Sequence, residues 1–457
     1  MTPTLPVDKS QPIDNTLQVI RTGPPRRKPG AHRKRNAKLI ANGSFLRLWF
    51  GQTVSEFGSQ ITTLALPLAA VIVLHASTFQ VGLLTTAGYA AFLLIGLPAG
   101  AWVDRVRRKS VMIAADVVRT LVLASIPVAY GLGVLTLWQL YAVTFIQGIA
   151  TVLFDVAYMS YVPGLVGRQH VVEANAKLQA TVSVAQVSGP SAAGLLIGLL
   201  SAPVAFVADA GSFIVSVVSL LFVRQPEPAP EPTGGRSLRA DMAEGLQFVL
   251  RQPILRMIAG CTSTSNLFSS AVLAVSVVFL VRQVHLDASA IGLLTSLGAI
   301  GGVVGALSCG LLRRWIGSAR IIWVSLVVTA PFGLLLPLTH PGLGLICYAV
   351  GMFMFSFGAV VYNVHQASFR QLLCPPRLLG RMNATIRFIV WGTLPLGGLL
   401  GGALGSWLGN RNALWVGAIG MNLATVWLLA SPLMRMRDTE AVPDEPEDTL
   451  VAAPAPA

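Results

Sequence analysis

Twelve long apolar runs constrain the fold of this chain more than any other feature of its sequence. A helix that crosses a bilayer needs about 20 apolar residues. Charged residues make up only 11% of the 457 residues, whereas an ordinary soluble domain carries about 25%. We therefore predict an all-α membrane protein with twelve transmembrane helices. The runs are 47–74, 80–103, 110–132, 138–162, 177–200, 203–223, 254–281, 289–312, 320–339, 342–365, 381–406 and 412–433.

The connectors between these runs alternate in charge. Connectors after even-numbered runs are rich in arginine and lysine, as in "DRVRRK" at 104–109, and those after odd-numbered runs are short and nearly uncharged, as in "HASTF" at 75–79. An excess of Lys and Arg marks the cytoplasmic face of a membrane protein. We therefore predict a multi-pass protein of the cytoplasmic (inner) cell membrane with both termini in the cytoplasm.

The composition along the chain divides it into five parts. Residues 1–43 are predicted to be a disordered basic tail, and 435–457 a disordered acidic tail. Residues 224–252 are predicted to form a cytoplasmic linker that contains a surface helix. The remaining parts, 44–223 and 253–434, hold six apolar runs each and predict two six-helix bundles.

Nucleic acid, metals and nucleotides are not expected as partners. The basic run "RRKPGAHRKR" at 26–35 could bind nucleic acid. Beside a membrane helix, however, such a run more often holds the terminus in the cytoplasm or touches anionic lipid. The four cysteines form no C-x-x-C pair and no zinc-like spacing, so no metal site is predicted. No G-x-x-x-x-G-K-[ST] motif occurs, and no cofactor is predicted.

A repeat relates the two halves of the chain. "GLPAGAWVDRVRRK" ends the second run, and "GALSCGLLRRWIGSAR" ends the eighth. Both place small residues four or five apart before a basic cluster, a spacing that lets helices pack closely. Parallel repeats of this kind occur in two-bundle secondary transporters. The second copy lacks the acidic residue Asp104 of the first.

These segments resemble motifs of the major facilitator superfamily over residues 44–434. The family's motif between the second and third helices reads G-x-x-A-G-x-x-x-D-R-x-G-R-R, and here Arg107 replaces its third Gly. The resemblance implies an inner gate that latches the bundles together when the transporter faces outward. The alternative is a simple helix stop with cytoplasmic positive charge. The inner-gate candidates are Gly96, Gly100, Asp104, Arg105, Arg108 and Lys109.

Two further motifs bear on transport. Gly189, Pro190 and Gly194 match the G-P-x-x-G-G motif of drug–proton antiporters, which implies export; the alternative is an ordinary packing kink. Thr144 stands where the family's fourth-helix motif has an arginine associated with proton coupling. Phrases such as "FDVAYMSYVP" are similar to those of twelve-helix exporters related to macrolide-efflux proteins and the enterobactin exporter.

Ionisable residues inside membrane spans are rare and usually functional. Asp116 and Arg119 are three apart on one helix, so they are either a self-paired structural charge or part of proton coupling. Asp155 could pair with Arg119 or bind protons itself. Glu56 could carry a proton or meet a cationic substrate, and Asp209 could face a vestibule or accept hydrogen bonds from nearby hydroxyls. All five are candidates for proton coupling.

Several polar and aromatic side chains are candidates for lining a substrate cavity. An amide in lipid is costly, which favours a cavity position for the Asn and Gln residues. The aromatic side chains could equally face lipid or pack between helices. The candidates are Gln52, Phe57, Tyr158, Asn266, Asn363, Gln366 and Trp391.

We predict a secondary active transporter and not an enzyme. It would export an amphipathic small molecule, such as a drug, a macrolide or a siderophore-like metabolite, in exchange for protons by alternating access. Its partners would be this substrate, protons and the lipid bilayer, and a monomer would suffice. The alternatives are an importer or facilitator on the same fold and a non-transporting membrane scaffold or sensor.

Overall fold

The computed structural model describes residues 42–103, 105–224, 238–375 and 378–438. Residues 1–41 of the predicted N-terminal tail, residues 439–457 of the predicted C-terminal tail and Asp104 lie outside these residues. Within them, twelve helices are long and apolar enough to cross a membrane. The helices are α1 Gly43–Leu68, α2 Thr78–Val103, α3 Arg108–Gly131, α4 Leu137–Val166, α5 Val171–Leu199, α6 Ala202–Leu221, α7 Leu238–Arg251, α8 Pro253–Arg282, α9 Ala288–Ile316, α10 Arg320–Thr329, α11 Leu345–Leu373, α12 Leu379–Leu408 and α13 Asn410–Leu429.

Local sequence signals explain where several helices begin. The Asn42 side chain accepts hydrogen bonds from the backbone N–H groups of Ser44 and Phe45, at 3.1 and 3.2 Å. Thr136 caps α4, and Asp287 caps α9, in the same way. Such caps satisfy N–H groups that have no partner within the helix.

Two spans depart from regular α-helix. α1 continues as a π-helical turn at Ala69–Val73, and α10 continues as a 3₁₀ segment at Ala330–Leu338 to complete the ninth span. Proline lies at the start of that segment and again near its end, and proline cannot donate the hydrogen bond that an α-helix requires.

The two halves of the chain pack in the same way. In the first bundle α1 packs on α5 and α6, α2 on α4, and α3 on α4 and α6. In the second bundle α8 packs on α12 and α13, α9 on α11, and α10 with its 3₁₀ continuation on α11 and α13. Each pairing in the second bundle repeats one in the first, seven helices later. The fold is therefore two six-helix bundles with α7 between them in the chain.

The connectors define two ends of the molecule. The described connector residues 105–107, 167–170, 222–224, 317–319 and 374–375 lie at what we call the basic end, and the six short connectors lie at the short-loop end. Asn42 at the start of α1 donates to the carbonyl of Leu165 near the end of α4, which places both at the basic end. Arg411 at the start of α13 donates to the Thr339 carbonyl at the short-loop end.

The bundles are sealed against each other in the short-loop half. A Cβ added to Gly82 of α2 would lie 2.6 Å from the Gly398 carbonyl oxygen of α12, so the two backbones touch. Thr78 donates to Asn410 at 2.8 Å, and Ser191 of α5 donates to Ser296 of α9 at 2.7 Å. Among the described residues, every hydrogen bond between the bundles lies in this half.

The bundles separate towards the basic end. A Cβ added to Gly96 would touch only Phe92 of its own helix, and one added to Gly100 would meet nothing within 4 Å. The small residues that end α2 are thus not packed against α12. A cleft between the bundles opens at this end.

Two segments brace the second bundle at the basic end. Glu244 of α7 forms an ion pair with Arg381 of α12, and Val249 of α7 is buried. The described start of the C-terminal tail crosses to the α9–α10 connector, where Ser318 N–H donates to the Asp438 carboxylate at 3.0 Å. The helix predicted for the linker is present as α7.

Candidate transport cleft

Two carboxylates of the first bundle lie close enough for their charges to interact. Glu56 of α1 is half-buried, and Asp155 of α4 is exposed although it lies between helices. Asp155 lines a cavity of about 240 Å³ whose walls come from α2, α4 and α12. The exposure of Asp155 therefore reflects the open cleft between the bundles.

Two polar side chains on the same helices lie beside these carboxylates. Gln52 is one turn before Glu56, and Tyr158 is three residues after Asp155, so each pair shares a helix face. Tyr158 lies close enough to both carboxylates to interact electrostatically. The Gln52 Oε1 atom and the Tyr158 hydroxyl are buried and have no hydrogen-bond partner among the described residues. Buried polar atoms of this kind usually bind water or a ligand.

Asp116 and Arg119 form an ion pair on α3, with 3.3 Å between a carboxylate oxygen and a guanidinium nitrogen. Ser216 of α6 donates to Asp116 at 2.6 Å. The Arg119 guanidinium also lies 4.4 Å from the centre of the Phe154 ring. Within the described chain, no ion pair within 4 Å joins Arg119 to Asp155. Arg119 is therefore held by its own helix.

Asp209 is fully buried between α6 and α1. Thr62 of α1 donates to one of its carboxylate oxygens, and Ser212 donates to the other at 3.1 Å. Its side chain thus meets hydroxyls in a helix interface, and its zero exposure is not that of a residue facing a vestibule.

The second bundle contributes uncharged polar groups. Asn266 and Asn363 line one cavity between α8, α10 and α11, together with several hydroxyls. The Asn266 amide donates to the Val390 carbonyl of α12 at 3.1 Å. Gln366 is buried and donates to Asn363 at 3.4 Å. Phe57 is half-buried on α1, next to Glu56 in sequence.

The described part of the gate motif is anchored to its own bundle. The Lys109 ammonium group donates to the carbonyl oxygen of Val223, just after α6, at 2.7 Å. Arg105 is exposed, and Arg108 is half-buried. The motif loop thus sits beside the open mouth of the cleft, at the basic end.

The motif Gly189–Pro190–Gly194 lies in the short-loop seal. A Cβ added to Gly194 would lie 2.5 Å from the Ala288 carbonyl oxygen of α9, so α5 and α9 approach with no room for a side chain. Ser191 N–H, next to the proline, donates across the bundle interface to Ser296 at 3.0 Å. Gly189 itself faces Gln60 of α1.

Sequence reasoning did not place Arg387 of α12 in the site. It lines the same cavity as Asp155, from the opposite bundle. Its guanidinium carbon lies 4.9 Å from the ring centre of Phe92 and 4.6 Å from that of Trp391. One sequence signal could have found it: from 253 to 437 the sequence has a single acidic residue, Asp287, so an arginine inside a span there lacks a nearby partner.

Comparisons with known proteins agree with this architecture. The family model described as the Major Facilitator Superfamily matches residues 48–395. The enterobactin exporter EntS of Salmonella choleraesuis (strain SC-B67) is 27% identical over 417 residues, which cover 89% of this chain and 97% of EntS. The multidrug efflux pump Tap of Mycolicibacterium fortuitum is 25% identical over 88% of this chain and 98% of Tap. The crystal structure of the nucleoside transporter NupG superposes with a TM-score of 0.71 at 12% identity, covering 84% of this chain and 98% of NupG.

Proposed function

Because the chain belongs to the major facilitator superfamily and is a multi-pass transporter of that family, we propose that it exports an amphipathic small molecule in exchange for protons. The basic end would face the cytoplasm, since Lys and Arg gather on that side of membrane proteins. Both termini would then be cytoplasmic, and the protein would reside in the cytoplasmic membrane. In this orientation the described conformation is open to the inside.

One observation carries the proposal of proton coupling. Asp155 lines a cavity at the open end of the cleft, whose other end is sealed, and Glu56 lies close enough to Asp155 for their charges to interact. Ionisable groups inside membrane spans commonly form the proton relays of transporters. A carboxylate that is exposed alternately to the two sides of a membrane can take up a proton on one side and release it on the other.

The chemistry of the cleft supports an amphipathic substrate. The cavity between the bundles has Asp155 on its first-bundle wall and Asn383 and Arg387 on its second-bundle wall. A separate cavity within the second bundle is lined by amides and hydroxyls. Phe92 and Trp391 add aromatic surface, with ring centres 4.3 Å apart. A ligand with a broad apolar body and a few polar groups would match such walls. The two efflux proteins among the relatives support export over uptake.

Alternating access would proceed by rocking of the two bundles. We propose that Gly96 and Gly100 pack against α12 when the basic end closes, as Gly82 already does in the short-loop half. Asp104 with Arg105, Arg108 and Lys109 would complete the inner gate. The short-loop seal at Gly194 would open in the same movement.

A proton-independent facilitator is the second candidate, and Thr144 favours it. This residue occupies the position of the family's coupling arginine, and its hydroxyl donates to the Leu140 carbonyl of its own helix at 2.7 Å. Thr144 cannot supply the charge of that arginine, so we propose that proton transport runs through Glu56 or Asp155.

The test is transport in proteoliposomes that hold the purified protein and an imposed pH gradient. We expect movement of some members of a panel of dyes and macrolides, its abolition by a protonophore, and its loss in Asp155→Asn and Glu56→Gln. Asp287→Asn is the matched control, because that carboxylate lies at the short-loop end and asparagine caps a helix equally well. Transport that ignores the gradient and survives in both cleft variants would show a facilitator.

A further inference from the structure

Arg387 has no acidic partner within its own bundle. The single acidic residue between 253 and 437, Asp287, caps α9 at the short-loop end. Glu244 of the linker helix is already paired with Arg381. A guanidinium inside a membrane span is costly unless it is paired or hydrated. Any ion-pair partner for Arg387 in the described spans therefore has to come from the first bundle.

Asp155 is the acidic side chain of the first bundle that lines the same cavity as Arg387. Asp116 is paired with Arg119, and Asp209 accepts hydrogen bonds from Thr62 and Ser212. Asp155, by contrast, has no ion pair within 4 Å among the described residues. It nevertheless lies close enough to Arg119, and also to Arg387, for their charges to interact. The two opposite charges face each other across one cavity.

In the open conformation, two aromatic rings hold the Arg387 guanidinium. Its guanidinium lies over the rings of Phe92, from the first bundle, and Trp391, from its own. Cation–π contacts of this kind hold a cation weakly. The arginine can therefore leave the rings when a carboxylate comes within reach.

The contact between α2 and α12 shows how a carboxylate would come within reach of Arg387. The two helices touch at Gly82 and Gly398, and the Phe92–Trp391 contact lies further towards the basic end. Arg387 lies one helical turn beyond Trp391 on the side where the bundles separate. Closing the basic end must draw α12 towards α2 and α4. Arg387 would then approach Asp155 in a space from which water is leaving.

We propose that Asp155 and Arg387 form an ion pair between the two bundles when the basic end closes, and that a proton on Asp155 breaks this pair. The proposal rests on the alternating access described above, and it gives proton binding a direct effect on the gate. A charged pair in a site that excludes water is strongly coupled, whereas a neutral carboxyl group opposite a buried guanidinium leaves that charge unpaired.

Few other charged groups lie on the helices that pack near Asp155. Arg119 of α3 is held by Asp116, and Glu56 of α1 adds negative charge. On α5, Glu173 and Lys177 are 4.0 Å apart. α2 contributes no charged side chain over 78–103. Asp155 is thus the carboxylate on α4 that can leave the open cleft and form an ion pair with Arg387.

The experiment measures closure of the mouth without any substrate. In a full-length background without native cysteines, Asn383→Cys places a thiol in the same cavity, and a membrane-impermeant maleimide reports how often the mouth is open. We expect Arg387→Gln to increase the labelling rate several-fold and Arg387→Lys to preserve it. The exchange Asp155→Arg with Arg387→Asp should restore slow labelling but not proton-driven transport. Arg256→Gln, at an exposed arginine at the basic end of α8, is the control and should label at the unmodified rate.

Each outcome decides the proposal separately from the transport assay. Equal labelling in Arg387→Gln and the unmodified background would overturn it, even if transport changed, because Arg387 would then act on substrate alone. Rapid labelling in the charge-exchanged protein would also overturn it. Thermal unfolding of every variant separates misfolded protein from an open mouth. If no substrate is ever found, the labelling result still stands, because it requires neither a substrate nor a gradient.

Discussion

Arg119 is a buried cation whose charge is balanced within one turn of helix. The exposed fraction of its side chain is 6%, and that of Asp116 is 0%. The rings of Phe154 and Phe213 lie within 5 Å of the guanidinium carbon. These contacts join the pair to other helices of the first bundle.

Removing one member of this pair should be worse than removing both. We expect Arg119→Met to lower the free energy of unfolding by about 3–5 kcal/mol, because Asp116 is left as an uncompensated buried charge. The double variant Asp116→Asn with Arg119→Met should recover much of this loss. Both proteins lose the contacts with the two phenylalanine rings, so their difference isolates the charge. Thermal unfolding in detergent measures it, and equal melting temperatures for the two variants would contradict the expectation.

At the level of elements, α2 is packed along only half of its length against α12. Its short-loop half meets Gly398 and Gly402 through Gly82, with no space for a side chain. Its basic half ends in Gly96, where the three atoms nearest to an added Cβ belong to Phe92 of the same helix, and Gly100, where an added Cβ would meet nothing within 4 Å. Small residues that are packed against α12 at the short-loop end and unpacked at the basic end allow the two helices to approach at the basic end when the bundles rock.

Valine at the two ends of this stripe should trap opposite conformations. Gly82→Val should break the short-loop seal, since its Cβ would lie 2.6 Å from the Gly398 carbonyl oxygen. Gly100→Val should leave the described conformation intact and block closure of the basic end. Tyr89 of α2 lines a cavity of about 140 Å³ together with residues of the second bundle, so Tyr89→Cys in a cysteine-free background can report access to that cavity for a maleimide added on the short-loop side. We expect fast maleimide labelling with Gly82→Val and slow labelling with Gly100→Val, and both should abolish transport.

Equal labelling of the two glycine variants would mean that α2 and α12 do not separate at one end while they approach at the other. Gly211 offers a neutral comparison within the first bundle, because a Cβ there would meet nothing within 4 Å. Gly211→Ala should therefore label and transport as the unmodified protein does.

At the scale of the whole molecule, the two bundles behave as similar units joined at one end. They share a packing pattern, and the hydrogen bonds that join them within the described chain lie in the short-loop half. The linker helix and the start of the C-terminal tail both brace the second bundle. Motion is therefore expected between the bundles and not within them.

Spin labels should detect this motion as opposite changes at the two ends. Arg105 and Arg314 are exposed at the basic end, one in each bundle, and Leu132 and Leu343 are exposed at the short-loop end. Charged Asp155 favours the pair with Arg387, so raising the pH should favour closure of the basic end. We expect the 105–314 distance to shorten and the 132–343 distance to lengthen as the pH rises. Pulsed electron resonance measures both, and changes of the same sign would contradict rocking.

Much of the architecture could be predicted from local sequence. The twelve apolar runs located the twelve spans, because the bilayer requires about 20 apolar residues whatever the fold around them. The ends were less predictable: the span predicted to begin at 177 begins at Val171, and the one predicted to end at 365 ends at Leu373. These helices continue in polar residues, which carry no hydropathy signal but still form helical hydrogen bonds.

The candidate site could be predicted only in part. Spacing along one helix placed Gln52 beside Glu56, Asp155 beside Tyr158, and Asp116 beside Arg119, because a helical turn repeats every 3.6 residues. It could not choose among partners on other helices. The structure showed that Arg119 belongs with Asp116 and that hydroxyls of two helices surround Asp209.

The sequence by itself determined that this protein is a two-bundle membrane transporter, since apolar length, charge alternation and motif spacing are local properties of the chain. Only the tertiary structure decided which half of each seam is closed and that Arg387 faces Asp155. Those relations join residues that are 95 to 332 positions apart. They depend on how two bundles pack against each other, and no property of a single helix contains that information.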